Sequence, residues 1–190
     1  MKLVAGLGNP GRQYRGTRHN VGFDVLDVLA GRHGLVFDAA KADALEARWR
    51  VGDGVVLVKP LTFMNLSGEA LAALCRYYRI DVADTLIVCD DVNLPLGRLR
   101  ARGGGTDGGH NGLKSIALHF GTLDYARLRI GVGRGDERRD LAAHVLAGFA
   151  PEEMTGVRDA ITRSADAVEL WATQGLEPVM STFNRAADTT

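Results

Sequence analysis

Residues 86–89, Leu-Ile-Val-Cys, form an unbroken apolar run that stops on two carboxylates, Asp90 and Asp91. A strand with one wet face alternates, so a run that does not alternate belongs to a strand covered on both faces. Residues 2–6 read as a second short buried strand, and the segments between supply the covering helices. Val21, Val25, Val28 and Leu29 fall at helical spacing before Gly31 and Gly34 interrupt. Leu45, Ala47, Trp49 and Val51 alternate with Glu46, Arg48 and Arg50; Gly52-Asp53-Gly54 then supplies turn chemistry ahead of 55–58, which predicts a hairpin. Ser67 stands where it can cap a helix carrying Leu71, Leu74, Cys75 and Tyr78 on one face. Residues 98–102 alternate as a polar-faced strand, 103–109 form a glycine-rich loop, a helix begins near Asn111, and 127–132 alternate again as a strand. Pro151, Glu152 and Glu153 open the longest helix, 151–174, which Gly175 can end. The expected fold is α/β: a single catalytic domain over 1–190, with a mixed twisted β-sheet, helices on both faces, and a flexible lid over 133–149.

With 190 residues, 46% hydrophobic and 24% charged, the chain has room for one real core. No apolar run approaches the roughly 20 residues that span a bilayer. Met1 to Ala5 lead into a strand without a signal-peptide stretch, so a cytoplasmic protein without membrane association is expected. Cys75 and Cys89 stand singly in apolar surroundings and read as packed thiols. The net charge is zero, yet from Arg98 to Arg139 nine Lys and Arg face four Asp and Glu, a local excess of +5. Such a field can attract phosphate; alternatively, these arginines only solvate edge strands.

Two glycine motifs suggest nucleotides and fail on context. Gly6-Leu7-Gly8-Asn9-Pro10-Gly11 matches G-x-G-x-x-G after a strand, but a dinucleotide site needs a helix opening at the glycines, and here Gln13-Tyr14-Arg15-Gly16 continues as loop. The 103–112 segment has His110 and Asn111 where a P-loop needs lysine and a hydroxyl residue. What remains there is a glycine-rich approach to a helix N-terminus, which favours anionic groups.

Five polar blocks fall outside every hydrophobic period: Gly8-Asn9-Pro10-Gly11, Thr17-Arg18-His19-Asn20, Thr62-Phe63-Met64-Asn65, Asp90-Asp91 and Gly108-Gly109-His110-Asn111-Gly112. Together they supply imidazoles, amides and a carboxylate, a set suited to metal-free ester hydrolysis. In this order and spacing they resemble the bacterial-type peptidyl-tRNA hydrolases, over nearly the whole chain. The resemblance implies a monomeric hydrolase with no cofactor and no metal. Its substrate would be peptidyl-tRNA, cleaved at the ester between nascent peptide and terminal ribose, so that tRNA is recycled.

By that resemblance His19 is the general base and Asp90 orients its imidazole. Asp91 is the rival, and since neighbouring strand residues face opposite ways only one of the two can point at the site. Asn9 and Asn111 join the catalytic set, Asn111 helping to position the water or the oxyanion. Asn65 holds the substrate, His110 contacts its sugar or terminal region, and Tyr14, Asn20, Phe63 and Met64 line the cleft. Arg102 and Arg129 clamp tRNA phosphate, with Arg100 on the same strand face and Arg98 extending it. The chain departs from the family in having arginines where lysines are common, in Asp107 within the glycine loop, and in Asn93 where an acid is common. Two other readings stand beside this one: a nucleotide- or RNA-binding module without catalysis, and a metallohydrolase using His19, His110, Asp90 and Asp91. His33, His119 and His144 have no supporting motif.

Overall fold

The computed structural model of the chain describes residues 1–185, so residues 186–190 of the expected domain lie outside it. Its strands are β1 (Lys2–Gly6), β2 (Asp38–Ala39), β3 (Ala44–Trp49), β4 (Val55–Pro60), β5 (Thr85–Asp91), β6 (Leu99–Arg102) and β7 (Ala126–Gly131), in one sheet ordered β2-β3-β4-β1-β5-β7-β6. The sheet is mixed. β1 is parallel to β4 and β5, and β5 to β7, while β2, β3 and β6 add antiparallel margins. Every residue of β4 and of β5 is buried, the property that their unbroken apolar runs predict.

Among the described residues six α-helices complete the fold: α1 (Val21–His33), α2 (Ser67–Tyr78), α3 (Asn111–Phe120), α4 (Leu141–Val145), α5 (Met154–Gln174) and α6 (Leu176–Phe183). The period-two geometry of the strands divides the core in two. Val4, Leu86 and Val88 pack with Val25, Leu29, Ala165 and Val168 from α1 and α5. Leu3, Ala5, Ile87 and Cys89 pack with Leu71, Leu74, Leu113 and Ile116 from α2 and α3. Cys75 and Cys89 are both buried free thiols within this second core. No helix among the described residues is long and apolar enough to cross a membrane.

From β1 the chain crosses to β4 on one side and then returns to β5 on the other, so the winding reverses at the β1–β5 seam. Open α/β sheets place ligands beyond the carboxyl ends of their strands at such a reversal. Glycine lets α1 reach this seam. A Cβ on Gly22 would lie 2.5 Å from the Leu7 nitrogen and the Val88 oxygen, and one on Gly6 only 2.2 Å from the Gly22 oxygen. Gly6 therefore serves helix-on-sheet packing. The chain makes 3-10 turns at Arg12–Tyr14 and Arg18–Asn20 before α1 opens, which removes the helix N-terminus a dinucleotide would need.

Some local expectations give way. Ser67 does not cap α2: a 3-10 turn, Met64–Leu66, runs straight into the helix, Ser67 is already helical, and its hydroxyl donates to the Met64 carbonyl at 2.8 Å. A capping residue needs extended backbone, which this turn denies it. Gly31 lies inside α1, and Gly34, in the left-handed region at φ 61°, ends it. Beyond Gly175 the chain forms α6, and Asn184 after it pairs its amide with the Ala101 nitrogen and oxygen at 2.6 and 2.9 Å. This covers part of the outer edge of β6. Within 133–149 only α4 is regular.

Candidate active site

β5 ends at the seam, and its last two residues diverge. Asp90 alternates with Leu86 and Val88 toward the α1 face, and Asp91 with Ile87 and Cys89 toward the α3 face. Each face sends a histidine over the strand end. His19, in the turn before α1, places Nδ1 2.9 Å from both Asp90 oxygens. His110, immediately before α3, places Nε2 2.8 Å from Asp90 Oδ1. The rings stand 4.9 Å apart between centroids.

The proton positions follow from the partners. His110 Nδ1 accepts the Gly112 and Leu113 backbone N–H groups at 3.1 and 3.3 Å, capping α3. Being an acceptor there, it carries its proton on Nε2 and donates it to Asp90. His19 faces the same carboxylate through Nδ1, which makes Nδ1–H its donor and leaves the Nε2 lone pair free. The two histidines are thus opposite tautomers sharing one carboxylate. Burial works to raise the pKa of Asp90, but the electrostatic attraction and hydrogen bond of His110 and those of His19 outweigh it and hold the carboxyl below its usual range.

A cleft of about 200 Å³ opens over this pair, lined by His19, Asp90, His110, Asn111, Asn93 and Arg134, with Leu141 and Val145 of α4. Asn111 is exposed as the first residue of α3, and its backbone N–H has no partner among the described residues. Asn65 and Phe63 are exposed at the turn that packs on α3. Tyr14 is half-buried in the first 3-10 turn.

Several residues expected at the cleft support it instead. Asn20 is buried, and its amide accepts from the Asn9 nitrogen at 2.9 Å and donates to the Asn9 oxygen at 3.0 Å, so both of its polar atoms are engaged in holding the Asn9 backbone. Asn9 in turn accepts the Met64 N–H on its Oδ1 at 2.8 Å, which leaves only Nδ2 to face outward. Met64 is a core residue, 5% exposed among Leu7, Leu113 and Ile116. Its thioether fills space under α3 rather than lining the cleft.

Arg100 and Arg102 stand exposed on edge strand β6, directly opposite Arg129 and Arg127 of β7. Like charges so placed repel, and two of the four arginines are tied down. Arg129 pairs with Asp91 at 3.4 Å and donates to the Thr106 carbonyl. Arg127, fully buried, donates to the Gly105, Thr106 and Leu123 carbonyls and lies 4.0 Å over the Tyr125 ring. It thereby shapes the glycine loop, a role the sequence pattern did not reveal. Arg100, Arg102 and Arg129 line a groove beside that loop. Asp107 is occupied by a turn, accepting the Gly109 N–H at 2.7 Å.

Arg18 was also missed. Its buried guanidinium donates to the His144, Ala147 and Gly148 carbonyls and to Glu153, tying the base of the 133–149 segment to the turn that carries His19. His144 is structural, its Nε2 on the Gly133 carbonyl at 2.9 Å.

Comparison with known proteins agrees. The family model described as peptidyl-tRNA hydrolase matches residues 3–190. A peptidyl-tRNA hydrolase of Desulforudis audaxviator is 48% identical over 185 residues, 97% of this chain and 93% of that protein. One of Halalkalibacterium halodurans is 45% identical over 97% of this chain and all of the relative. The solved peptidyl-tRNA hydrolase of Acinetobacter baumannii superposes with a TM-score of 0.89 at 35% identity, covering 97% of this chain and 94% of that one. The chain belongs to the peptidyl-tRNA hydrolase family.

Proposed function

We propose that the chain hydrolyses the ester joining a peptide to the terminal ribose of its tRNA, with His19 as general base and without a metal. The observation that carries the mechanism is the shared carboxylate with its opposed tautomers. The free Nε2 of His19 takes a proton from water as that water attacks the ester carbonyl. Asp90 offsets the imidazolium that forms. The Asn111 N–H and amide donate to the developing oxyanion in this reading, supported by the exposed position of Asn111 on the cleft wall. Collapse of the tetrahedral intermediate breaks the bond to the ribose oxygen, which regains the proton from the imidazolium.

Around this centre, the Asn65 amide and Asn9 Nδ2 suit the backbone of a peptide of any sequence. The exposed Phe63 and the half-buried Tyr14 offer flat surfaces for peptide or terminal base. His110 acts through Asp90 rather than on the sugar. Arg100, Arg102 and Arg129 take tRNA phosphates, with Arg129 limited by its ion pair. The 133–149 segment serves as a lid hinged on Arg18. A monomer working in the cytoplasm completes the reading.

His19, Asp90 and His110 present atoms within 4.8 Å of one another, which could also hold a divalent ion. A metal there would displace the proton on His110 Nε2, and Nδ1, already receiving two backbone N–H groups, could not take it up. Protons suit this site better than an ion. The wild type, incubated with N-acetylphenylalanyl-tRNA and excess EDTA, is expected to release N-acetylphenylalanine at an undiminished rate. Absence of release, or loss on chelation that zinc restores, would overturn the proposal.

A further inference from the structure

The catalytic cleft and the arginine groove share Asp91, Asn93 and Arg129, so a polyanion leaving the first runs onto the second. The two carboxylates at the end of β5 are already matched. Asp90 meets two imidazoles and Asp91 meets Arg129, while Asp107 accepts only a backbone N–H and keeps its charge. Arg134 differs. Its guanidinium donates to Asn93 Oδ1 at 2.7 Å, and no carboxylate among the described residues lies within ion-pair distance.

Asn93 is itself held, its N–H on Asp91 Oδ1 at 2.8 Å and its Nδ2 toward the Gly108 carbonyl at 3.5 Å. A neutral amide oxygen therefore steers the guanidinium to the cleft without cancelling its charge. Guanidinium has five donors in a fork, and those not used by Asn93 remain for an anion with paired oxygens. A substrate whose ester sits on the terminal ribose of a nucleic acid carries its nearest formal negative charge on the phosphodiester preceding that nucleotide.

We propose that Arg134, positioned by Asn93, is the subsite for this first phosphodiester, distinct from the groove of Arg100, Arg102 and Arg129. The proposal rests on the hydrolase reading above. It implies that binding of the phosphate draws the 133–149 segment, which carries Arg134, toward the reacting ester.

Two small substrates test it: an N-acetylphenylalanyl ester of adenosine, which has no phosphate, and the same ester on the dinucleotide CpA, which has one. Each is read by turnover or, where turnover is slow, by competition against N-acetylphenylalanyl-tRNA. The wild type is expected to prefer the CpA ester about tenfold, through KM, as loss of a charge-assisted contact implies. Arg134→Gln should reduce that preference to near unity, Arg134→Lys should keep part of it, and Asn93→Asp, which supplies a counter-charge, should lower it. A preference unchanged in Arg134→Gln or in Asn93→Asp, a preference absent in the wild type, or an Arg134→Gln loss of activity equal on both esters, overturns the subsite. Failure of the wild type to cleave N-acetylphenylalanyl-tRNA would instead overturn the hydrolase reading.

Discussion

Asp90→Asn is expected to slow ester cleavage about 10⁴-fold while leaving the fold intact, the scale of effect when a histidine base is held in its wrong tautomer. The reason lies in which oxygen serves which ring. Oδ1 accepts from His110 Nε2 at 2.8 Å and lies 2.9 Å from His19 Nδ1 as well, whereas Oδ2 faces only His19 Nδ1 at 2.9 Å. His110 cannot change tautomer, because its Nδ1 is engaged by two N–H groups of α3. The asparagine carbonyl must therefore face His110, which turns the amide N–H₂ toward His19. Two donors then oppose one another, and the proton of His19 moves to Nε2, where the base is needed. The same variant alters the acid response. A carboxyl whose folded pKa is depressed contributes stability above the ordinary carboxylate range and loses it as pH falls through the folded value. Asp90→Asn should remove that contribution, so melting temperature should vary less with pH in acid than it does in the wild type. Single-turnover rates and thermal melts between neutral and acid pH check both parts.

His19→Ala is expected to cost roughly 10²–10⁴-fold in kcat, the usual worth of a positioned general base. KM should change little, because the imidazole meets the attacking water and not the peptide or the tRNA backbone. Asp90 keeps its bond to His110 but loses the other, which should lower stability by about 1–3 kcal/mol. Combining the two substitutions should be hardly worse than the more damaging one alone, since both remove the same Nε2 base. Multiplicative losses in the double variant would mean that Asp90 acts on substrate separately from His19.

Features that depend on period and on strand ends were legible in the chain. The 86–89 run marks a doubly covered strand, and Asp90 falls at its end for that reason. The start of α3 near Asn111 follows from the pattern change there. Features that depend on distant partners were not. An asparagine in a polar block looks like a ligand reader, but Asn20 is committed to the backbone of Asn9, a pairing that exists only once the turn folds back over the seam. Arg127 and Arg129 share a strand face and a residue type, and both bond the glycine loop; they differ because Arg127 is wholly buried beneath it while Arg129 stays half-buried and pairs with Asp91. His110 as a helix cap has no propensity signal, histidine being rare in that role, so its second nitrogen could not be assigned to Asp90. Helix α6 lies beyond Gly175, where the helical pattern stops, and is anchored by an amide pairing with β6 across 83 positions of chain.

Nitrogen-15 NMR of the imidazole rings in the free enzyme at neutral pH tests most directly the arrangement on which the mechanism stands. The account predicts two neutral rings of opposite kind at the site, His19 protonated on Nδ1 and unprotonated on Nε2, His110 the reverse. A His19 proton resident on Nε2, or a shared tautomer in both rings, would contradict it.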